Sequence, residues 1–271
     1  MPQDVSDAGI HHIVAGSGTP TLIFVHGFAC SLDDWREPIR QLSPQHRCVA
    51  LDLPGHGSTA LSGRQSMAEM ASAVNMVREA VNAGPTVLIG HSLGVRVIVD
   101  AYRECPENVV GLVFVDGRFY DGEPRQVSMR MNALLEENGF TAFLRTAFSG
   151  MFTERSKPSL RGHIVERALR LDPDFGRNLF LESILWDSEH GRDRLREIAI
   201  PLLHLQSSDI DEQRRMISLK QGMRTGFMQL VEELVPGAHI DIVPDVGHFA
   251  QLEAPDVVAG AIEQFVENLR T

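Results

Sequence analysis

Cysteine is scarce in this chain, which has only Cys30, Cys48 and Cys105 among its residues. An odd number of widely separated thiols with no CxxC pair argues against a disulfide framework and against a zinc site. Long apolar runs are missing as well. No stretch approaches the roughly 18 residues needed to span a bilayer, so no membrane association is expected. The opening Met1-Pro2-Gln3-Asp4-Val5-Ser6-Asp7 carries acids and lacks the apolar segment of a secretory signal, which makes a cytoplasmic location the expectation. Positive charge is short too: 25 Lys and Arg stand against 36 Asp and Glu, a formal net charge of −11. That balance repels a phosphate backbone, and no nucleic-acid partner is expected. Arginines between Arg192 and Arg196 alternate with acids and read as a solvated helix face.

What is present suits a folded domain. The 271 residues are 43% apolar and 23% charged, enough to bury a core without a metal or disulfide. Four short apolar runs read as buried strands: Thr21 to Val25, Cys48 to Leu51, Thr86 to Ile89 and Val109 to Val115. Between them, Leu32 to Leu42, Met67 to Val81 and the stretch after Ser92 repeat apolar residues every three or four positions, as helices do. Strands alternating with helices predict an α/β fold with a mostly parallel sheet covered on both faces.

After Asp116-Gly117 the alternation stops for some eighty residues, resuming at Ile200 to Leu205. The stretch between has helical spacing at Met129 to Glu137, Ala142 to Phe148 and Leu160 to Leu171. The chain therefore divides into a core of residues 1–116 and 200–271 and an inserted helical cap of residues 117–199. Beyond the insertion the sequence predicts a helical region from Asp211 to Leu234, a strand at His239 to Val243, a loop at Pro244 to His248 and a closing helix from Pro255 to Leu269.

Gly90-His91-Ser92-Leu93-Gly94 lies between the strand ending at Ile89 and the following helix. A turn this sharp strains its middle residue and needs small neighbours two positions to either side, which the glycines supply. It also sets Ser92 at a helix N-terminus, where backbone N–H groups can stabilise a developing negative charge. A plain helix N-cap is the alternative role for Ser92. Over nearly its whole length the sequence resembles the α/β-hydrolase superfamily, with motifs at His26-Gly27-Phe28, Asp52 to Ser58, Gly90 to Gly94 and Asp245-Val246-Gly247-His248-Phe249; the insertion carries none of them.

The resemblance implies Ser92 as nucleophile, His248 as general base, and the backbone amides of Phe28 and Leu93 as an oxyanion hole, with no cofactor and no metal. It treats the Asp52 to Ser58 loop as structural, so neither Asp52 nor His56 is expected to act on substrate. Two positions compete for the acid behind His248. Most relatives place it after the strand Leu202 to Gln206, where Asp209 and Asp211 stand, and a minority place it where Asp116 stands. Asp209 lacks the usual preceding glycine and sits three residues before Glu212, the spacing of a capping box. Asp116 ends a buried apolar strand and needs a polar partner, so the balance leans to Asp116 with Asp209 as the alternative. A small-molecule hydrophobic substrate is expected, an ester, thioester or lactone, in a pocket lined by Phe28, Phe119, Trp186 and Phe249, with Met129, Phe143, Phe148 and Met151 as further contributors. Carbon–carbon bond hydrolysis or cofactor-free dioxygenation through a His248–Asp116 dyad is the alternative.

Overall fold

The computed structural model describes residues 3–5, 9–61, 66–120, 122–211 and 215–269. Among the described residues there are ten strands: β1 (Gln3–Val5), β2 (His12–Ala15), β3 (Thr21–Val25), β4 (Arg47–Leu51), β5 (Thr86–His91), β6 (Val109–Val115), β7 (Leu202–Gln206), β8 (Ser208–Ile210), β9 (Met216–Ser218) and β10 (His239–Ile242). Eight of them form one sheet in the order β1-β2-β4-β3-β5-β6-β7-β10, and β8 pairs with β9 alone. From β4 to β10 all pairings are parallel, while β2 runs antiparallel to β4 and β1 antiparallel to β2.

Burial on both faces explains why the central strands read as continuous apolar runs. Ile23 and Val25 of β3 point into one apolar cluster; Leu22 and Phe24, alternating with them, point into the other. The first cluster is closed by α2 (Met67–Ala80) and α3 (Leu93–Glu104), the second by α1 (Arg36–Leu42) and α11 (Pro255–Asn268). α11 shows how the pattern works. Val258, Ile262, Phe265 and Val266 recur at helical spacing and are buried, so truncating Ile262 to Ala would cost about 2–5 kcal/mol.

Among the described residues five α-helices fall between β6 and β7: α4 (Pro124–Asn138), α5 (Phe140–Gly150), α6 (Pro158–Ala168), α7 (Pro173–Trp186) and α8 (Arg192–Arg196), the last two joined by a π-helical turn at Asp187–Gly191. Proline opens α4, α6 and α7, where its missing N–H has no intrahelical use. Polar contacts tie this segment to the rest of the fold. Arg167 grips Asp34 with two bonds of 2.5 and 2.8 Å, and Met151 accepts from the His248 amide at 2.9 Å.

The region after Gln206 differs from the helix expected there. Asp209 lies in the hairpin β8–β9, paired with Ile217, and helix α9 (Gly226–Leu234) starts only after Thr225, whose Oγ1 accepts from the Met228 amide. The capping box failed because no helix begins at Asp209; its other member, Glu212, lies outside the described residues. The strands β1 and β2 also escaped the sequence reading, being short and at the sheet edge. Among the described residues no helix is long and apolar enough to cross a membrane.

Candidate active site

Ser92 sits on the turn between β5 and α3 with φ 54° and ψ −112°, a conformation costly for a residue with a side chain. The fold leaves no room to relax it. A Cβ on Gly94 would stand 2.6 Å from the Val25 carbonyl oxygen, and one on Gly90 would collide with the Gly94 carbonyl. The Ser92 amide donates to Val115 O at 3.0 Å, pinning the turn to the neighbouring strand. As the first residue of α3, Leu93 has an amide with no acceptor inside the helix. Gly27 is equally confined, since a Cβ there would meet His91 Nδ1 at 3.0 Å and Ser92 Cβ at 3.1 Å.

His248 lies on the loop between β10 and α10 (Ala250–Glu253) and is 9% exposed. Four contacts hold that loop: the His248 amide donates to Met151 O, the Gly247 amide to Glu253 Oε1 at 3.0 Å, Ser207 Oγ to Gly247 O at 2.8 Å, and His91 Nε2 to His248 O at 2.9 Å. His248 Nδ1 stands 2.6 Å from Asp116 Oδ2. An ionised carboxylate only accepts, so Nδ1 carries the proton and Nε2 is left as a base. Among the described residues no hydrogen bond joins Ser92 Oγ to His248, a contact that commonly tightens only with substrate bound.

Asp116 accepts three further bonds, from the Ser207 amide at 2.6 Å, the Ser208 amide at 2.8 Å and Ser208 Oγ at 2.5 Å. Burial alone would raise its pKa, but the bonds from His248, Ser208 and Ser207 prevail and hold it below the usual carboxylate value. Asp209 is placed elsewhere. Its Oδ1 accepts from the Ile210 amide, and it borders a different cavity. The structure thus brings Asp116 to His248 and keeps Asp209 away. Ser207 and Ser208, which hold Asp116, escaped the sequence reading because Gln206-Ser207-Ser208 carries no motif.

The loop bearing Phe28 is braced from beneath. Buried His56 accepts the Ala29 amide on Nε2 at 3.2 Å, and His26 accepts the Leu53 amide at 3.0 Å. Burial lowers the His56 pKa to about 4 and that of His26 well below 6.5, which keeps both rings neutral and able to accept. Asp52 binds the Leu32 and Ser58 amides, each at 2.8 Å. These residues brace the loop and stand outside the cavity that Ser92 lines.

Ser92, Leu93, His248 and Phe28 line one cavity of about 130 Å³. Its apolar wall comes from Phe148, Met151 and Phe180 between β6 and β7, from Phe249, and from Ile210 and Met216 of the hairpin. Phe180, Ile210 and Met216 escaped the sequence reading, the last two because a three-residue strand gives no periodicity. Two expected pocket residues are placed elsewhere. Phe119 borders a larger cavity of about 450 Å³ that contains neither Ser92 nor His248. Trp186 is buried in the core, where its indole donates to Asp100 Oδ2 at 2.6 Å and its ring meets Phe119 edge-on. Met129 is 64% exposed on α4, and Phe143 packs on Phe180 behind the wall.

The chain has relatives in sequence and in fold. It is 32% identical over 114 residues to the dihydrolipoyllysine-residue acetyltransferase component of the acetoin cleaving system of Cupriavidus necator, which covers 41% of this chain and 30% of that protein. The chain spans less than two thirds of the length of the relatives of that name. A putative 2-succinyl-6-hydroxy-2,4-cyclohexadiene-1-carboxylate synthase of Bacillus subtilis (strain 168) is 26% identical over 98% of this chain and 97% of its own. In fold, a thermophilic esterase from Thermogutta terrifontis, solved with malate bound, superimposes with a TM-score of 0.78 at 20% identity, covering all of both chains. The model of the alpha/beta hydrolase family matches residues 22–261, and this chain belongs to that family.

Proposed function

We propose that the chain is a serine hydrolase that cleaves a small carboxylic ester, thioester or lactone through an acyl-enzyme on Ser92. The observation that carries this reading is the 2.6 Å pairing of His248 Nδ1 with Asp116, which leaves Nε2 as a base on the cavity that the strained Ser92 lines. Ser92 Oγ attacks the carbonyl carbon while His248 Nε2 takes its proton, and the amides of Phe28 and Leu93 stabilise the oxyanion. Asp116 stabilises the imidazolium without taking its proton. The tetrahedral intermediate collapses, and His248 returns the proton to the departing alcohol or thiol. Water then repeats the sequence on the acyl-enzyme, releasing the acid and restoring Ser92.

In this reading the helices between β6 and β7 act as a cap that supplies the apolar wall and excludes water. The esterase likeness supports it in fold alone, and the synthase name of the Bacillus relative leaves the choice of reaction to the site. The His248–Asp116 pair would equally serve carbon–carbon hydrolysis or cofactor-free proton abstraction from a substrate destined for dioxygenation. Turnover of p-nitrophenyl esters by wild type and by Ser92→Ala separates these readings. Loss of at least about 10³-fold in the variant supports the acyl-enzyme; near-wild-type turnover in Ser92→Ala overturns it.

A further inference from the structure

We propose that the substrate carries a carboxylate and that Arg118 is the residue that binds it, a specificity that rests on the acyl-transfer reading of Ser92. Arg118 stands two residues beyond Asp116 and lines the cavity that holds Ser92 and His248. Its Nη1 is buried and has no hydrogen-bond partner. A buried, unpaired guanidinium N–H is costly, and such a group in a folded protein calls for an acceptor.

The surrounding charges explain why the protein itself supplies none. Asp187 is the acid whose charge Arg118 feels, but its oxygens are engaged by Arg96 Nε and Nη2, each at 2.6 Å, and by the Tyr120 amide at 2.8 Å. Arg96 also donates to the Arg118 carbonyl at 2.6 Å, fixing the backbone from which the second guanidinium projects. That guanidinium lies over the Tyr120 ring at 5.8 Å. On its other side Arg118 borders the larger cavity, where Glu233 is paired with Arg192 at 2.9 Å and Asp209 accepts from the Ile210 amide. Among the described residues no acid lies within ion-pairing distance, 4.0 Å, of Arg118.

Among the described residues no Asp or Glu lines the Ser92 cavity itself. Asp187 is bonded by Arg96, and Asp116 faces His248, so Arg118 leaves one positive charge without an ion-pair partner on a cavity whose remaining wall is largely apolar. The chain as a whole carries −11, so an anion is recognised here at contact distance and not by long-range attraction. The cavity volume of about 130 Å³ matches roughly four water-sized groups. A scissile carbonyl, two or three methylenes and a carboxylate fill such a space.

The test compares kcat/KM for p-nitrophenyl hemisuccinate and hemiglutarate with the neutral p-nitrophenyl butyrate and valerate, in wild type, Arg118→Met and Arg118→Lys. A charge-assisted contact predicts an acidic-to-neutral ratio about 10- to 100-fold higher in wild type than in Arg118→Met, with part of it restored in Arg118→Lys. Reading the ratio within each protein makes the result independent of how much of each preparation is active. A second readout is stabilisation by glutarate in a thermal melt, present in wild type and absent in Arg118→Met. Neutral esters turned over with no preference for the acidic ones, or a preference that survives in Arg118→Met, overturns the proposal while leaving the hydrolase reading intact. No ester turned over, with glutarate binding lost only in Arg118→Met, overturns the acyl-transfer reading and supports the anion site.

Discussion

Replacing Asp116 by Asn separates the two roles that its carboxylate combines. In the wild-type site Oδ1 accepts the Ser207 and Ser208 amides, and Oδ2 accepts Ser208 Oγ and His248 Nδ1. An asparagine can keep its oxygen on the two amides, which sets its NH2 against His248 Nδ1. That ring nitrogen must then accept, the proton moves to Nε2, and the imidazole can no longer take a proton from Ser92. The expected loss in kcat is about 10⁴-fold, or roughly 5.4 kcal/mol at 1.36 kcal/mol per decade. The effect on folding is smaller. The two amide bonds are retained and the contacts with His248 and Ser208 Oγ must reverse their donor, so the stability loss is about 1–3 kcal/mol, a shift of roughly 2–4 °C in Tm per kcal/mol. The assay is p-nitrophenyl ester hydrolysis beside a thermal melt, with Asp209→Asn as the control. A folded Asp116→Asn enzyme with more than a tenth of wild-type kcat, or a comparable loss in Asp209→Asn, would refute the assignment.

Acid should destabilise the protein below about pH 6.5 through its buried histidines. Burial lowers the pKa of His56 and His204 to about 4 and that of His91 to about 3, so below about 6.5 the unfolded chain binds protons that the folded chain refuses. Stability stays level above that pH and falls beneath it by about 1.4 kcal/mol per unit for each histidine, roughly 4 kcal/mol for the three between pH 7.5 and 5.5. Urea midpoints that match at the two values would contradict this. Gly94→Ala places a Cβ 2.6 Å from Val25 O and 2.8 Å from His26 O; it should lower stability by about 1–3 kcal/mol and esterase activity with it, and wild-type values for both would be the contrary result. Native iodoacetamide treatment at pH 7.5 should add one adduct, at exposed Cys105. Burial raises the thiol pKa of Cys48 to about 12 and that of Cys30 well above its usual value, so a second native adduct in the intact mass would count against their inertness.

The central fold was legible because buried parallel strands are written as unbroken apolar runs. Val109 to Val115 and Thr21 to Val25 have in the structure the limits read from the sequence. The turn at Ser92 was legible for a related reason: the close approach of Gly90 and Gly94 to backbone oxygens tolerates no side chain. Less was legible where structure depends on distant partners. The hairpin β8–β9 was missed, β9 falling in the stretch read as helix from Asp211, since three-residue strands carry no period, and with it went Ile210 and Met216 on the cavity wall. Trp186 and Phe119 have the composition of pocket residues, but Trp186 is drawn into the core by Asp100, and Phe119 faces the larger cavity. Asp116 could be preferred over Asp209 by its buried strand end, while the contact with His248, 132 positions away, belongs to the tertiary structure.

Covalent labelling of Ser92 tests the central claim most directly. With a fluorophosphonate at neutral pH, intact-mass spectrometry should show one adduct per chain, and the digest should place it on the peptide containing Ser92. Labelling should be abolished in Ser92→Ala and strongly slowed in His248→Ala. An unlabelled wild-type protein that still turns over its substrate, or an adduct on any other residue, would contradict the account.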